Sequence, residues 1–273
     1  MDKFPLNYFS SLRSPKQLFL GRKQLSWPKF IMIFLFLISF MVMPITLFYT
    51  NQVSAIPMEQ FLSVNTLIDQ EGVARLRELQ LTNGRLTADS EIISVTNDVI
   101  IGTALTTEEM AERGAAINFE ETSWTIRQEE DGQTREYNMA YPSSFDFMRI
   151  TSPKEFEQFL ENEFYASNRP MIILSYSLTL GILLFIMTGL ILFGAAFFLW
   201  LTRKSKFSSI KNFKESANLM LNVLGVSSII AGFVGFIHFD FVLMMGIQST
   251  IAVLLLLWIF AKTGFKDSKA IQV

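Results

Sequence analysis

An α-helical polytopic membrane protein, with four transmembrane helices and a small extracytoplasmic α+β domain inserted between helices 1 and 2, is the architecture expected of this chain. Two observations carry the expectation. Four apolar runs each reach the roughly twenty residues that a helix needs to cross a hydrocarbon core about 30 Å thick. The charges between those runs alternate in sign. Residues 1–29 hold Lys3, Arg13, Lys16, Arg22, Lys23 and Lys29 against Asp2. Residues 51–169 hold nine Lys/Arg against twenty-one Asp/Glu, a formal net of −12. The loop 202–216 is basic apart from Glu215, and the tail 262–273 is basic apart from Asp267. Lys/Arg-rich flanks stay on the cytoplasmic side. Both termini are therefore expected inside and the acidic domain outside, in a multi-pass protein of the plasma membrane.

Residues 1–29 are expected to form a cytoplasmic basic amphipathic segment. Ser14-Pro15-Lys16-Gln17 has the form of a capping box with Pro at the first helical position. Phe4, Tyr8 and Leu12 recur at four-residue spacing with Phe9 nearby, which suits a helix lying against the anionic inner leaflet. An ordinary basic flank is the plainer alternative. Span 1 covers 30–50, with Pro44 as its kink and with Trp27 and Tyr49 at the two interfaces. Val53-Ser54-Ala55 resembles a signal-peptide cleavage site, but the long basic segment and twenty-residue run favour an uncleaved anchor. Span 2 covers 170–201, with a helical start read at Asn168-Arg169-Pro170. It is about ten residues longer than a crossing needs, so it must tilt or project. Loop 202–216 is cytoplasmic, spans 3 and 4 cover 217–237 and 241–261, and His238-Phe239-Asp240 turns between them. The tail is 262–273. The residues expected to set topology and line the interfaces are Arg22, Lys23, Trp27, Lys29, Arg203, Lys204, Lys206 and Lys262.

The extracytoplasmic domain, 51–169, reads as follows. An imperfect helix is expected over 51–82, with Pro57 at its opening, Phe61, Val64, Leu67 and Ile68 on one face, and Leu76 and Leu79 beyond Gly72. Asn83-Gly84 is a turn. Strands are expected over 91–95 and 99–105, then a short helix capped by Thr106 and Glu109. Runs 117–120, 122–128 and 133–139 follow, the last two joined through Asp131-Gly132 as a hairpin that puts Trp124 with Ile126 and Tyr137 with Met139. A further strand is expected over 145–150. Ser152-Pro153-Lys154-Glu155 then opens a helix with Phe156, Phe159, Leu160 and Phe164 in one stripe.

Residue types narrow the chemistry. The chain has no Cys, which removes disulfides, thiolate metal sites and cysteine nucleophiles. His238, the one histidine, lacks nearby partners for a triad or a metal site and reads as a surface turn residue. Paired carboxylates suit hydrolysis, but Glu120-Glu121 and Glu129-Glu130-Asp131 fall at strand ends and turns, where solvated acids are common. Trp124, Tyr137, Tyr141, Phe145 and Phe147 could stack on sugars, although alternation favours core positions. EF-hand spacing and phosphate loops are absent. No catalytic residue, cofactor, metal or nucleic-acid partner is expected. Spans 2–4 lack charged residues at their centres, which disfavours an ion-coupled relay; Asn218, Asn222 and Gln248 are milder polar groups. Ser227, Ala231 and Gly235, and likewise Ser228 and Gly232, are spaced for close helix packing, with Gly246 and Thr250 of span 4 as the expected counterpart.

The opening Phe9-Ser10-Ser11-Leu12-Arg13-Ser14-Pro15-Lys16, the segment Leu81-Thr82-Asn83-Gly84-Arg85-Leu86, and the order span, domain, three spans resemble the MalA-type maltodextrin-utilisation membrane proteins of Gram-positive bacteria. The resemblance covers nearly the whole chain as architecture. It implies a plasma-membrane protein linked to maltodextrin uptake or its regulation, and it supplies no catalytic or ligand residues. The expected role is a non-enzymatic accessory or sensor, embedded in the lipid bilayer and working with a membrane transporter or with further copies of itself. A small-molecule or sugar ligand would bind at the outer domain. The alternatives are a transport component built on spans 2–4, and a membrane-bound envelope hydrolase.

Overall fold

The computed structural model describes residues 4–52, 67–130, 132–142, 145–204 and 208–271. The chain divides into two compact units, Met1–Asn51 with Ile173–Val273, and Gln52–Ile172. Among the described residues, four helices are long and apolar enough to cross a membrane: α3 (Trp27–Asn51), α6 (Pro153–Leu201), α7 (Phe213–Ile237) and α8 (Phe241–Thr263).

In the first unit, ring contacts fix how the helices run. Phe30 meets Phe193, Phe34 meets Phe185 and Tyr49 meets Tyr176, so α3 and α6 are antiparallel. Phe40 contacts Phe233 and Phe236, and Pro44 approaches Gly235, so α3 and α7 run side by side in the same direction. α7 and α8 are antiparallel across the turn at His238, with Asp240 capping α8 by accepting from the Leu243 N–H. Gly264 closes α8 in the left-handed conformation that glycine adopts without steric cost. The outward faces of these helices remain apolar, as lipid contact requires. Leu174, Phe198, Val253 and Leu257 are each more than half exposed.

Before α3, the chain forms α1 (Leu6–Ser10), a 3₁₀ turn (Ser11–Arg13) and α2 (Pro15–Gly21). The Ser14 hydroxyl caps α2 by accepting from the Gln17 N–H. The expectation of a segment lying on lipid is corrected here. Tyr8, Leu18 and Phe19 are buried in the same core as α3, α7 and α8. The four-residue spacing of aromatics marks an apolar face, and that face meets protein.

The second unit begins, within the described residues, with α4 (Gln70–Leu76), capped by Asp69. The earlier part of the helix read from the sequence, including Pro57, Phe61 and Val64, lies outside the described residues. Its far end is not helical. Gln80–Thr82 (β1) pairs antiparallel with Arg85–Thr87 (β2) around Asn83-Gly84, both in the left-handed region that such a turn demands. The main sheet has the order β3 (Glu91–Val95), β4 (Val99–Thr103), β5 (Ala115–Phe119), β6 (Ser123–Glu130), β7 (Gln133–Ala140). β4 and β5 are parallel, joined through α5 (Thr107–Ala111), whose capping box is Thr106 with Glu109. Both strands are buried along their whole length, as expected of a sheet centre covered on two faces.

The hairpin at Gly132 sets Trp124 opposite Met139 and Ile126 opposite Tyr137. Phe145, Phe147 and Phe159 complete the aromatic core around Trp124 and Phe119. The strand expected over 145–150 is instead a 3₁₀ turn, Phe147–Arg149, capped by the Asp146 carboxylate. It turns Phe145 and Phe147 inward together, which strand alternation also allows, so the two conformations share one hydrophobic signature.

α6 differs from expectation in its start. It is one continuous helix from Pro153, passing through Pro170 without a break. Pro170 removes one backbone N–H, and just before it the Asn168 side chain donates to the Phe164 carbonyl. At about 1.5 Å per residue, its 49 residues span roughly 70 Å, far more than a bilayer core needs.

Candidate functional site

The most concentrated polar chemistry of the first unit sits where α2 meets α7 and α8. Arg22 follows α2 directly, and its side chain is wholly buried. One guanidinium nitrogen lies 2.6 Å from Asp267 Oδ1, and Nη1 donates to the Phe19 carbonyl at 2.9 Å. Nε stands 3.4 Å from Glu215 Oε2, an ion-pair distance without hydrogen-bond alignment. The guanidinium also covers the Phe19 ring at 3.8 Å. Lys23 adds a second cation at 2.7 Å from Asp267 Oδ2. A buried guanidinium is tolerated only when paired and hydrogen-bonded, and here three elements supply the partners. Glu215 comes from the first turn of α7, Asp267 from the first residue of α9 (Asp267–Ile271), and Phe19 from α2.

Two asparagines of α7 complete the junction. Asn218 donates to the Arg22 and Leu25 carbonyls at 2.9 and 3.0 Å, and Asn222 donates to Leu18 at 3.0 Å. Helix ends leave carbonyls without intrahelical partners, so these amides cap α2 from the side. Tyr8 donates to the Leu221 carbonyl at 3.1 Å, and a Cβ on Gly225 would collide with that hydroxyl. The turn after α8 is pinned as well. Ser209 donates its N–H to the Phe265 carbonyl and accepts from the Asp267 N–H through its hydroxyl. Phe265, with φ of +54°, is held in the left-handed region by its ring contacts with Phe19 and Phe260.

Burial alone would raise the Asp267 carboxyl, but hydrogen bonds and charge from Lys23 and Arg22 outweigh it and hold the group below its usual range. A carboxyl lowered by folding stabilises fully above its unfolded value, about 3.9, and loses that contribution as pH falls through the folded value. Asp267→Asn is therefore expected to melt below the parent at neutral pH. The two melting curves should begin to converge as the pH falls below the ordinary carboxylate value of about 3.9. A constant gap across that range would contradict the assignment.

A second polar centre joins all four long helices. Gln248 of α8 is fully buried and donates through Nε2 to Ser228 Oγ of α7 at 2.8 Å, with Met41 Sδ of α3 at 3.4 Å. Thr188 of α6 donates to Gln248 Oε1 at 3.4 Å. Such contacts between spans contribute about 0.6 kcal/mol on average and at most about 1.7. Gln248→Leu is expected to cost about 1 kcal/mol in detergent unfolding, with the fold retained; an unfolded protein would contradict this.

The residues expected to pack helices separate into two groups. Ser227, Ser228, Ala231, Gly232 and Gly235 are all buried on α7. A Cβ on Gly232 would collide with the Phe40 ring, and one on Gly235 would meet Met244 and Pro44. Gly246 and Thr250 are the correction. Both are exposed, and among the described residues nothing lies within 4 Å of a Cβ placed on Gly246. The inward face of α8 is Met244, Gln248 and Ala252. Positions two residues away point about 200° around the helix, onto the opposite side.

Of the residues expected to set topology, Arg22 is buried in the junction described above and does not face an interface. Lys23 is half exposed, Trp27 is exposed and packs on Phe30, and Lys29 stands 5.3 Å from the Phe4 ring centre. Arg203 covers the Trp200 ring at 3.9 Å, Lys204 ends the 3₁₀ turn Thr202–Lys204, and Lys262 is exposed. Lys206 lies outside the described residues. The junction's signal was present in the sequence. Glu215 and Asp267 are the lone acids of two otherwise basic segments, and both pair with Arg22.

In the second unit, Trp124, Phe145 and Phe147 are buried, so these rings are core and not an exposed sugar platform. Tyr141 is also buried and donates to the Glu120 carbonyl, and burial followed by the Glu120 charge pushes its hydroxyl well above its usual range. A pocket of about 360 Å³ lies between the β1–β2 hairpin and the β5–β6 turn, with Arg85, Thr87, Glu120 and Glu121 around it. Arg85 reaches Glu121 at 3.3 Å. The pocket offers planar polar side chains, and Phe119, which also lines it, is fully buried. Among the described residues no three His, Asp or Glu converge on one point.

Four apolar helices and a small inserted sheet domain make up the architecture of a polytopic membrane protein. The chain is 27% identical over 274 residues to the maltodextrose utilization protein MalA of Streptococcus pneumoniae (strain ATCC BAA-255 / R6), with 98% of each chain covered. That similarity, running from end to end, supports the MalA-type family read from the sequence. No family profile matches the chain, and no solved structure does.

Proposed function

We propose that this protein is a non-enzymatic accessory or sensor of the plasma membrane that serves maltodextrin uptake or its regulation. The observation that carries the link is the 98% mutual coverage with a protein named for maltodextrose utilization. Spans and sheet domain alike fall within that similarity, so the relation is not confined to the apolar helices. Charge distribution supports a placement with the acidic sheet domain outside and both termini in the cytoplasm. A sugar at the outer domain would be met by Arg85, Glu120 and Glu121, whose planar groups suit hydroxyl recognition. A membrane transporter is the partner such an accessory would serve.

The test is growth of a strain lacking the gene, with and without the gene restored, on maltodextrins and on glucose. A growth defect confined to maltodextrins and reversed by the restored chain is expected. Equal growth on both sugars would contradict the proposal. Sugar uptake by vesicles holding the purified protein alone would favour a transport component instead.

A further inference from the structure

The end of the first unit at which α6 stops and α7 begins carries positive charge that no acid offsets. The basic loop and the basic tail hold one acid each, Glu215 and Asp267, and both are paired with the buried Arg22. Among the described residues, Arg203, Lys211 and Lys214 have no ion pair. Arg203 is held in place by rings. Phe197, Trp200 and Arg203 follow one another at three-residue spacing and stack in series, ring to ring at 5.9 Å and guanidinium to ring at 3.9 Å. Trp200 also meets Phe213 at 6.4 Å, so the last turn of α6 lies beside the first turn of α7, which holds Lys214. A guanidinium seated on a ring keeps its N–H donors available, and among the described residues nothing accepts from Arg203. Just before it, Phe197, Phe198 and Leu201 are exposed at positions that share one face of the span.

We propose that this site binds an anionic phospholipid, with its phosphate at Arg203 and Lys214 and an acyl chain along Phe197, Phe198 and Leu201. A phosphate matches the planar donor fork of arginine. Trp200 closes an apolar span, the depth at which amphipathic rings meet lipid headgroups. Cation and apolar face adjoin in the order in which one lipid molecule presents headgroup and chain. A soluble anion would neutralise the cations and leave the exposed rings bare. A zwitterionic lipid would cover the rings, but its own ammonium offsets the phosphate, so the cations would gain little. Only a lipid of net negative charge answers both halves of the site. This inference does not rest on the maltodextrin reading, and the outcome of either test leaves the other unchanged.

The test is titration of the purified full-length chain in a neutral detergent with phosphatidylglycerol and with phosphatidylcholine of the same acyl chains, bound lipid being counted by native mass spectrometry. Phosphatidylglycerol is expected to bind about fivefold more tightly or better, and Arg203→Gln to remove most of that preference. Arg203→Lys, which keeps the charge without the planar fork, should retain part of it. Lys269→Gln, which removes an exposed cation from α9 at the same end of the bundle, should leave the preference unchanged. Inorganic phosphate in excess should not displace the lipid. Equal binding of the two lipids, equal losses from Arg203→Gln and Lys269→Gln, or displacement by inorganic phosphate would each overturn the proposal.

Discussion

Arg22→Ala is expected to lower the unfolding free energy by about 3 kcal/mol, the lower end of the range for removing one member of a buried ion pair. The lower end applies because Glu215 and Asp267 keep 12% and 28% of their side-chain exposure, so water partly compensates them once the guanidinium is gone. The loss also withdraws the hydrogen bond to Phe19 and the cover over its ring. Arg22→Lys should recover only part of the difference, because a compact ammonium cannot reach Asp267, Glu215 and the Phe19 carbonyl through separate nitrogens or lay a flat face on the Phe19 ring. Lys23→Ala is the control. Its side chain is 47% exposed, and an exposed pair contributes at most about 1 kcal/mol. Denaturant unfolding of the purified protein in one detergent would measure all three. Equal losses from Arg22→Ala and Lys23→Ala would show that the junction does not hold the bundle's terminal segments.

Trp124→Ala is the second large effect, expected to cost about 3–5 kcal/mol in the sheet domain. The ring is fully buried, stacks near Phe119 at 5.9 Å and faces Phe159 at 6.3 Å. Its removal leaves a cavity where β6 meets the N-terminal part of α6, and the neighbouring rings cannot all close on it. Trp124→Phe should cost far less, under about 1.5 kcal/mol, as a largely shape-conserving change. Among the described residues Trp124 Nε1 has no hydrogen-bond partner, so Phe forfeits no bond to them. Protease digestion of the full-length protein should then cut within 67–172 at much lower denaturant for the Ala variant, with the Phe variant near the parent. Equal damage from both would point to a role for the indole N–H that its surroundings do not show.

The parts of the fold that were legible are those set by local pattern. Thr106 with Glu109, Ser14 with Gln17 and Asp131-Gly132 specify caps and a hairpin within a few residues, and β3, β6 and β7 followed from alternation. Long-range pairing was not legible. Tyr8 and Phe19 are apolar whether they meet lipid or α7, and no local rule distinguishes the two. Asn218 and Asn222 were visible as polar residues near one end of a span, but their partners are backbone carbonyls about two hundred positions earlier. Gly246 has the size for packing, but the phase of α8 is set by Gln248, the polar residue that must find partners inside the bundle. The continuous α6 was hidden by Pro170, which reads as a start signal even where helix surrounds it.

The side of the membrane that each charged region occupies decides the topology. Because the chain lacks Cys, Thr134→Cys and Ser268→Cys, both at exposed positions, can be labelled one at a time on intact cells with a membrane-impermeant maleimide. Position 134 should react at once, and position 268 only after the membrane is permeabilised. The reverse order, or labelling of both in intact cells, would contradict the proposed placement of the sheet domain and termini.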